Sequence, residues 1–191
     1  MDCSKLTEGL IAAECGTLAK AGAEDEVILI NYSDIDRTLS TVEDNVITDL
    51  VLKENAVAYT FTTFGKSLNE SGATFTAGTY RNTWVHTVAQ RIFTKNEDAK
   101  KYVNSLGDGA KIVCILKNNE TGAAGDVKYE VYGFDNGLVL TESASTIAMA
   151  DGVVYPLTVS SLDEAQEGSL PKSVFKTDEA TTDALIESLT A

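Results

Sequence analysis

Apolar residues recur along this chain mainly with a period of two, the spacing that puts them on one face of a β-strand. Residues 27–32, Val-Ile-Leu-Ile-Asn-Tyr, form a compact apolar strand behind the acidic turn Glu24-Asp25-Glu26. Residues 46–52 and 56–64 are the next two strands, parted by Lys53-Glu54-Asn55. In the second, Val57, Tyr59 and Phe61 oppose Ala58 and Thr60, with the aromatic and Thr content that strands favour. Residues 66–78 are rich in Gly, Ser and Thr and read as a long loop. The longest strand covers 79–93: Tyr80, Trp84, His86, Val88 and Ile92 share one parity, and Arg81, Thr83, Val85 and Arg91 the other. At about 3.3 Å per residue it would reach roughly 50 Å, so it must bend or leave its own sheet to meet a neighbour.

The period then changes. Thr94-Lys-Asn-Glu97 has the spacing of a helix capping box, and Ala99, Tyr102, Val103 and Leu106 follow at i, i+3, i+4 and i+7 as one apolar stripe. Gly107 supplies the left-handed stop. Residues 111–117 return to a strand, and 118–125 are a polar loop. Two β-rich segments then flank Asn136-Gly137, the dipeptide suited to a type I′ hairpin, with a third at 153–160 whose Pro156 places it at an edge or a bulge. Residues 162–168 form an acidic loop. Thr177 caps a terminal helix in which Asp178 and Glu179 favour the positive end and Ala184, Leu185 and Leu189 face a core.

This order predicts a mainly β fold with one packed α-helix, an antiparallel β-sandwich or barrel plus a short C-terminal helix. Its parts are an arm or short helix at 1–22, a β domain at 23–176 containing a helix at 95–106, and the terminal helix at 177–191.

Composition changes the picture mainly through charge. Fifteen Lys and Arg against 29 Asp and Glu leave a formal charge of −14, which argues against a protein that grips nucleic-acid phosphates. The charge is uneven: net −8 over residues 1–60, +3 over 61–120 and −9 over 121–191. A weakly basic middle between acidic flanks can orient copies of the chain toward one another, although solubilising surface charge accounts for it equally well. The three cysteines, Cys3, Cys15 and Cys114, have no metal-like spacing, and Cys114 sits in an apolar run as a small buried hydrophobe. The N-terminus lacks the basic start and unbroken apolar stretch of a signal peptide, and no run approaches membrane-spanning length. The expectation is a soluble protein with no membrane anchor.

Candidate chemistry is thin. His86 is the single histidine, so one chain cannot form a His-based metal cluster, and its apolar parity favours a hydrogen-bonded structural role over a catalytic base. No Gly-x-Ser-x-Gly elbow and no phosphate-binding Gly-rich loop occurs. Asp34, Asp36, Glu43 and Asp44 offer oxygen ligands without the spacing of a calcium loop, and solvated surface charge explains them better. Turn geometry already explains Asp135-Asn136-Gly137. Tyr80 and Trp84 suit a core or subunit contact better than base stacking. No cofactor, metal or catalytic residue is expected.

One stretch carries a family pattern. The segment from Tyr129 to Leu138 (Tyr-Glu-Val-Tyr-Gly-Phe-Asp-Asn-Gly-Leu), Leu140-Thr141, a small-residue spacer at 143–152, and Tyr155-Pro-Leu-Thr158 together resemble the C-terminal half of bacteriophage tail-tube-like structural proteins. The opening Glu26-Val-Ile-Leu-Ile-Asn-Tyr-Ser-Asp-Ile resembles the strand and acidic turn that begin such chains, while Met149 and Pro156 depart from the pattern. The resemblance implies a β-sandwich or barrel with a flanking helix and no catalytic residues. It implies hexameric rings, stacked into a tube of the virion tail, that DNA passes through without specific binding. Partners would be further copies and other phage tail or head proteins, with assembly in the host cytoplasm. Long hairpins or loops would join neighbours into one inner wall, which makes Lys66, Ser67, Leu68, Asn69, Tyr80, Arg81 and Arg91 candidate subunit-interface residues. Head decoration or head–tail connection is an alternative structural role. A monomeric carbohydrate- or protein-binding β module, with its site in loop 66–78, is the alternative of another class.

Overall fold

The apolar runs at 27–30 and 112–116 lie side by side inside a seven-stranded sheet, and both faces of that sheet are covered. Even and odd residues of each run therefore enter different cores, which is why these strands read as continuous hydrophobic stretches. A computed structural model describes residues 22–62, 69–145 and 152–190. The expected N-terminal arm, apart from Gly22, lies outside the described residues, as do Lys66, Ser67 and Leu68.

In chain order the elements are β1 (Ala23–Asn31), β2 (Thr41–Glu43), β3 (Val46–Asp49), β4 (Tyr59–Thr62), β5 (Glu70–Thr76), β6 (Thr83–Ile92), α1 (Glu97–Gly107), β7 (Ile112–Asn118), β8 (Tyr129–Tyr132), β9 (Val139–Ser143), β10 (Tyr155–Ser160), β11 (Lys172–Val174) and α2 (Glu179–Leu189). One sheet has the order β2-β3-β11-β8-β7-β1-β4, the other β5-β6-β10-β9. The fold is mainly β, as expected, with two α-helices among the described residues. Among the described strands every pair is antiparallel except β3–β11, which is parallel and makes the large sheet mixed.

The first core lies between the sheets. Val27 and Leu29 of β1 and Cys114 and Leu116 of β7 meet Val88 and Ile92 of β6 and Leu157 and Val159 of β10, and the predicted stripe of α1 packs there through Ala99 and Leu106. On the opposite face of the large sheet, Ile28, Ile30, Val113, Ile115 and Val131 meet Ile186 and Leu189 of α2. The terminal helix thus closes a second core, which makes it a structural layer. Lys128 fixes it in place, donating to Glu179 and Asp183, both at 2.7 Å, while the Tyr129 hydroxyl donates to Asp183.

Several local expectations are corrected. The segment 66–78 is not one loop: Glu70–Thr76 is β5, paired along its whole length with β6. Pairing with β6 makes it a strand, and the single Gly72 does not break it. The long strand is correspondingly shorter, Thr83–Ile92, because residues 77–82 form the connection to β5. The α1 cap is Asn96, whose side chain accepts from the Ala99 N–H, rather than Thr94. Gly107 remains within the last helical turn, and it is Gly109 that takes the positive φ of 97°. At α2 the cap is Asp178, in a reciprocal box with Thr181, and Ala184 is exposed while Thr182 is buried.

The largest correction concerns Asn136-Gly137. Strands β8 and β9 do not pair; they belong to different sheets. The chain makes a wider turn in which Gly133 and Gly137 carry the positive φ values, 76° and 77°, and the Gly137 N–H donates to the Gly133 carbonyl at 2.8 Å. A side chain on Gly133 would collide with Leu138, so the glycine permits the close approach. Leu138 bonds back to Ile112 of β7 before the chain passes into the second sheet. Strand β10 lies inside its sheet, between β6 and β9, and its irregularity falls at Thr158/Val159 rather than at Pro156.

Candidate functional site

A buried polar cluster surrounds the turn at Asp135-Asn136. Glu167, 1% exposed, reaches under it from the loop before β11. One of its carboxylate oxygens accepts the Asp135 N–H at 2.9 Å and the other the Asn136 N–H at 2.8 Å. The Asn136 amide donates to the Gln166 carbonyl, and Lys172 donates to Asp135 at 3.0 Å and to the Ser169 hydroxyl at 3.1 Å. From the other side the Tyr32 hydroxyl donates to the Asp135 carbonyl at 2.6 Å. Burial raises the Glu167 carboxyl above its ordinary value, against the two backbone N–H groups that favour its charge.

His86, 2% exposed, lies on β6 at the margin of this cluster. Its Nδ1 accepts the Gly133 N–H at 3.2 Å, which leaves Nε2 as the protonated nitrogen, donating to the Ser169 carbonyl at 2.9 Å. Burial is the main cause that lowers its pKa from 6.5 to about 4, against the Ser169 bond, with the Lys172 charge acting in the same direction as burial. Both ring nitrogens are committed to the backbone. The arrangement clamps a turn: each of these polar groups is spent on holding Gly133–Asn136 between the sheets, and no side-chain nucleophile is bonded to the ring. Sequence spacing does not reveal Glu167, because its partners lie 31 and 32 positions away.

The acidic residues read as surface charge behave that way. Asp36 accepts from the N–H and hydroxyl of Thr38 and from the Leu39 N–H, so it closes its own turn, and these Thr38 bonds lower its pKa. No group of three or more His, Cys, Asp or Glu side chains suited to a metal ion occurs among the described residues. Cys114 is fully buried, and burial pushes its thiol up.

The candidate interface residues fall in three settings. Tyr80 and Arg81 lie on the β5–β6 connection, and Tyr80 is 101% exposed. Arg91 lies on the outer face of the four-stranded sheet, donating to Glu70 at 2.6 Å. Asn69, at 3% exposure, points inward, and its amide has no hydrogen-bond partner among the described residues; nothing in the structure explains this.

That outer face follows from the register. Glu70, Gly72, Thr74 and Thr76 of β5 stand opposite Ala89, Thr87, Val85 and Thr83 of β6, while the alternate residues Ser71, Ala73 and Phe75 stand opposite inward-facing Val88, His86 and Trp84. Pro156, Thr158 and Ser160 of β10 continue the outer face beside Arg91, Ala89 and Thr87. Apart from the Glu70–Arg91 pair and Glu142, the face is made of short side chains, many of them hydroxyls. Among the described residues the sheet is open at both sides: β5, seven residues long, and β9, five residues long, are its edge strands. Most of β5 and the last three residues of β9 are exposed.

A second feature, invisible in the sequence, is a groove between β4 and α1. Two cavities of about 320 and 550 Å³ share Leu29, Tyr59 and Tyr102. Tyr102 stacks on Phe61 with ring centres 5.7 Å apart and donates to Gln90 at 2.6 Å, so the aromatic wall is fixed.

No family model, no curated protein and no solved structure matches this chain.

Proposed function

We propose that this chain is a non-enzymatic structural subunit that assembles with copies of itself, specifically a phage tail-tube or tail-ring subunit forming hexameric rings around a DNA channel. One observation carries the reading: the four-stranded sheet has two open edges and a smooth outer face. The outer edge of a seven-residue edge strand is a template for another chain. Joining the β5 edge of one copy to the β9 edge of the next extends the sheet head to tail, and a contact between two different edges closes into a ring or runs on as a filament. The outer face would then line a continuous wall. Its Arg91 is paired with Glu70, its short Thr, Ser, Gly and Ala side chains offer DNA few other groups to hold, and the charge of −14 adds repulsion. The two sheets and flanking helix agree with what the resemblance of residues 129–158 implies. The specific assignment to a phage tail rests on that resemblance.

Negative-stain microscopy of the purified protein tests the reading, with the expectation of rings or tubes having an open lumen. Cysteines introduced at Ala73 and Thr141, in a chain with Cys3 and Cys15 replaced by Ser, are expected to join into multi-subunit ladders with a short bifunctional thiol reagent. A protein that remains monomeric at its highest soluble concentration, with no ladder, would refute it.

The groove beside Tyr59, Phe61 and Tyr102 is the concave aromatic patch that a monomeric binding module would need. That second reading predicts a stable monomer.

A further inference from the structure

We infer that the tip of the β5–β6 hairpin is a knob that seats in the β4–α1 groove of a second copy of this chain. Tyr80 enters the cavity, and Arg81 meets Asp98 at its mouth. The inference rests on the self-assembly reading and adds to edge pairing a second contact made by side chains.

The knob is prepared by its surroundings. Tyr80 is 101% exposed, a large aromatic that gains nothing in its own chain. The hairpin stem is stiffened by Phe75 packed edge-on against Trp84, ring centres 5.4 Å apart, and by paired N–H and C=O bonds between Trp84 and Glu167 at 2.9 Å. The Arg81 guanidinium lies against Gly168, where a side chain would displace it. A braced tip loses little freedom on docking.

The hole matches in shape, chemistry and charge. Its two adjoining cavities, about 320 and 550 Å³, exceed the room an aromatic ring needs, and their shared wall is Leu29, Tyr59 and Tyr102. Tyr59 is 55% exposed there, an aromatic that the described residues leave largely uncovered. A third ring entering beside the stacked Phe61–Tyr102 pair gains both burial and ring contact. Among the described residues lining the two cavities, Asp98 is the single charged one, opposite in sign to Arg81. Nearby Glu97 is bonded to Lys101 at 3.0 Å. Because knob and hole are different patches of the same surface, the contact is head to tail, as a ring or stack of copies requires.

Sedimentation equilibrium on the full chain and three kinds of variant tests this. Tyr80→Ala, at a fully exposed position, is expected to weaken self-association at least about 30-fold, the lower bound for a hot-spot residue. Arg81→Asp and Asp98→Arg are each expected to weaken it, and the chain carrying both is expected to recover much of the loss. If the unaltered chain assembles and Tyr80→Ala and both charge reversals assemble equally tightly, the knob contact is overturned while the self-assembly reading stands. If the unaltered chain stays monomeric throughout, both fall. Charge reversals that weaken association without recovery in the double variant would overturn the Arg81–Asp98 pairing.

Discussion

His86 shows how far a single residue can be read before its neighbours are known. Its parity on an apolar strand points to a structural role, and its two backbone bonds agree. The consequence is a pH dependence of known sign. The folded ring takes up a second proton only below about 4, whereas an unfolded histidine does so below about 6.5. Between those values the unfolded chain binds the extra proton, so stability present above pH 6.5 is lost as the pH falls toward 4. The shift corresponds to on the order of 3 kcal/mol. Glu167 works in the opposite direction, since its raised carboxyl takes up a proton earlier in the folded state. Because the chain has one histidine, its ring resonances report on this site alone. They are expected to remain those of a neutral ring at pH 5.5 and to move near pH 4; a midpoint near 6.5 in the folded protein would contradict the burial. Glu167 itself was beyond reach of sequence, since it reads as one more acid in an acidic loop until the turn it holds is folded against it.

Elements are legible where one local rule decides them. The strands with continuous apolar runs and the stripe of α1 follow from periodicity alone. Caps are harder because neighbouring residues compete: Thr94 and Asn96 both have capping chemistry, and only the backbone angle at the junction selects Asn96. Asn96→Ala is accordingly expected to cost about 1 kcal/mol in chemical denaturation, and Thr94→Ala only a few tenths. Equal costs would place the cap wrongly. Strand β5 was hidden for a different reason. Its residues are exposed on nearly every position, so no hydrophobic alternation marks it, and its partner β6 alone makes it a strand. The turn at 133–137 misleads in the other direction. Asn136-Gly137 has hairpin chemistry, but tertiary bonds from Glu167 and Tyr32 redirect the chain between sheets.

At the scale of the molecule, sequence order conveys a β-rich fold with a packed helix but not which strands share a sheet. That division depends on pairings across long separations, such as β1 with β7 and β3 with β11. The open edges and the groove, which carry the functional reading, exist only once both sheets and α1 are assembled, so no short stretch of residues announces them.

Strand β11 is three residues long, yet it sets the timing of the whole molecule. It lies between β3 and β8, and without it the large sheet falls into a β2–β3 ribbon and a separate four-stranded piece. Val46 pairs with Ser173, which leaves the ribosome 127 positions later, a delay of ~6–25 s at ~5–20 residues per second. The β2–β3 ribbon must therefore wait until residues 172–174 are made. In refolding followed by pulsed hydrogen exchange, the amides of 46–49 are expected to gain protection in the same slow phase as those of 172–174; protection well ahead of β11 would show that the ribbon is stable without it. A growing chain is thus denied a finished large sheet until residues 172–174 have been made; if copies assemble as proposed, a chain halted before them would bring an unfinished sheet to the contact.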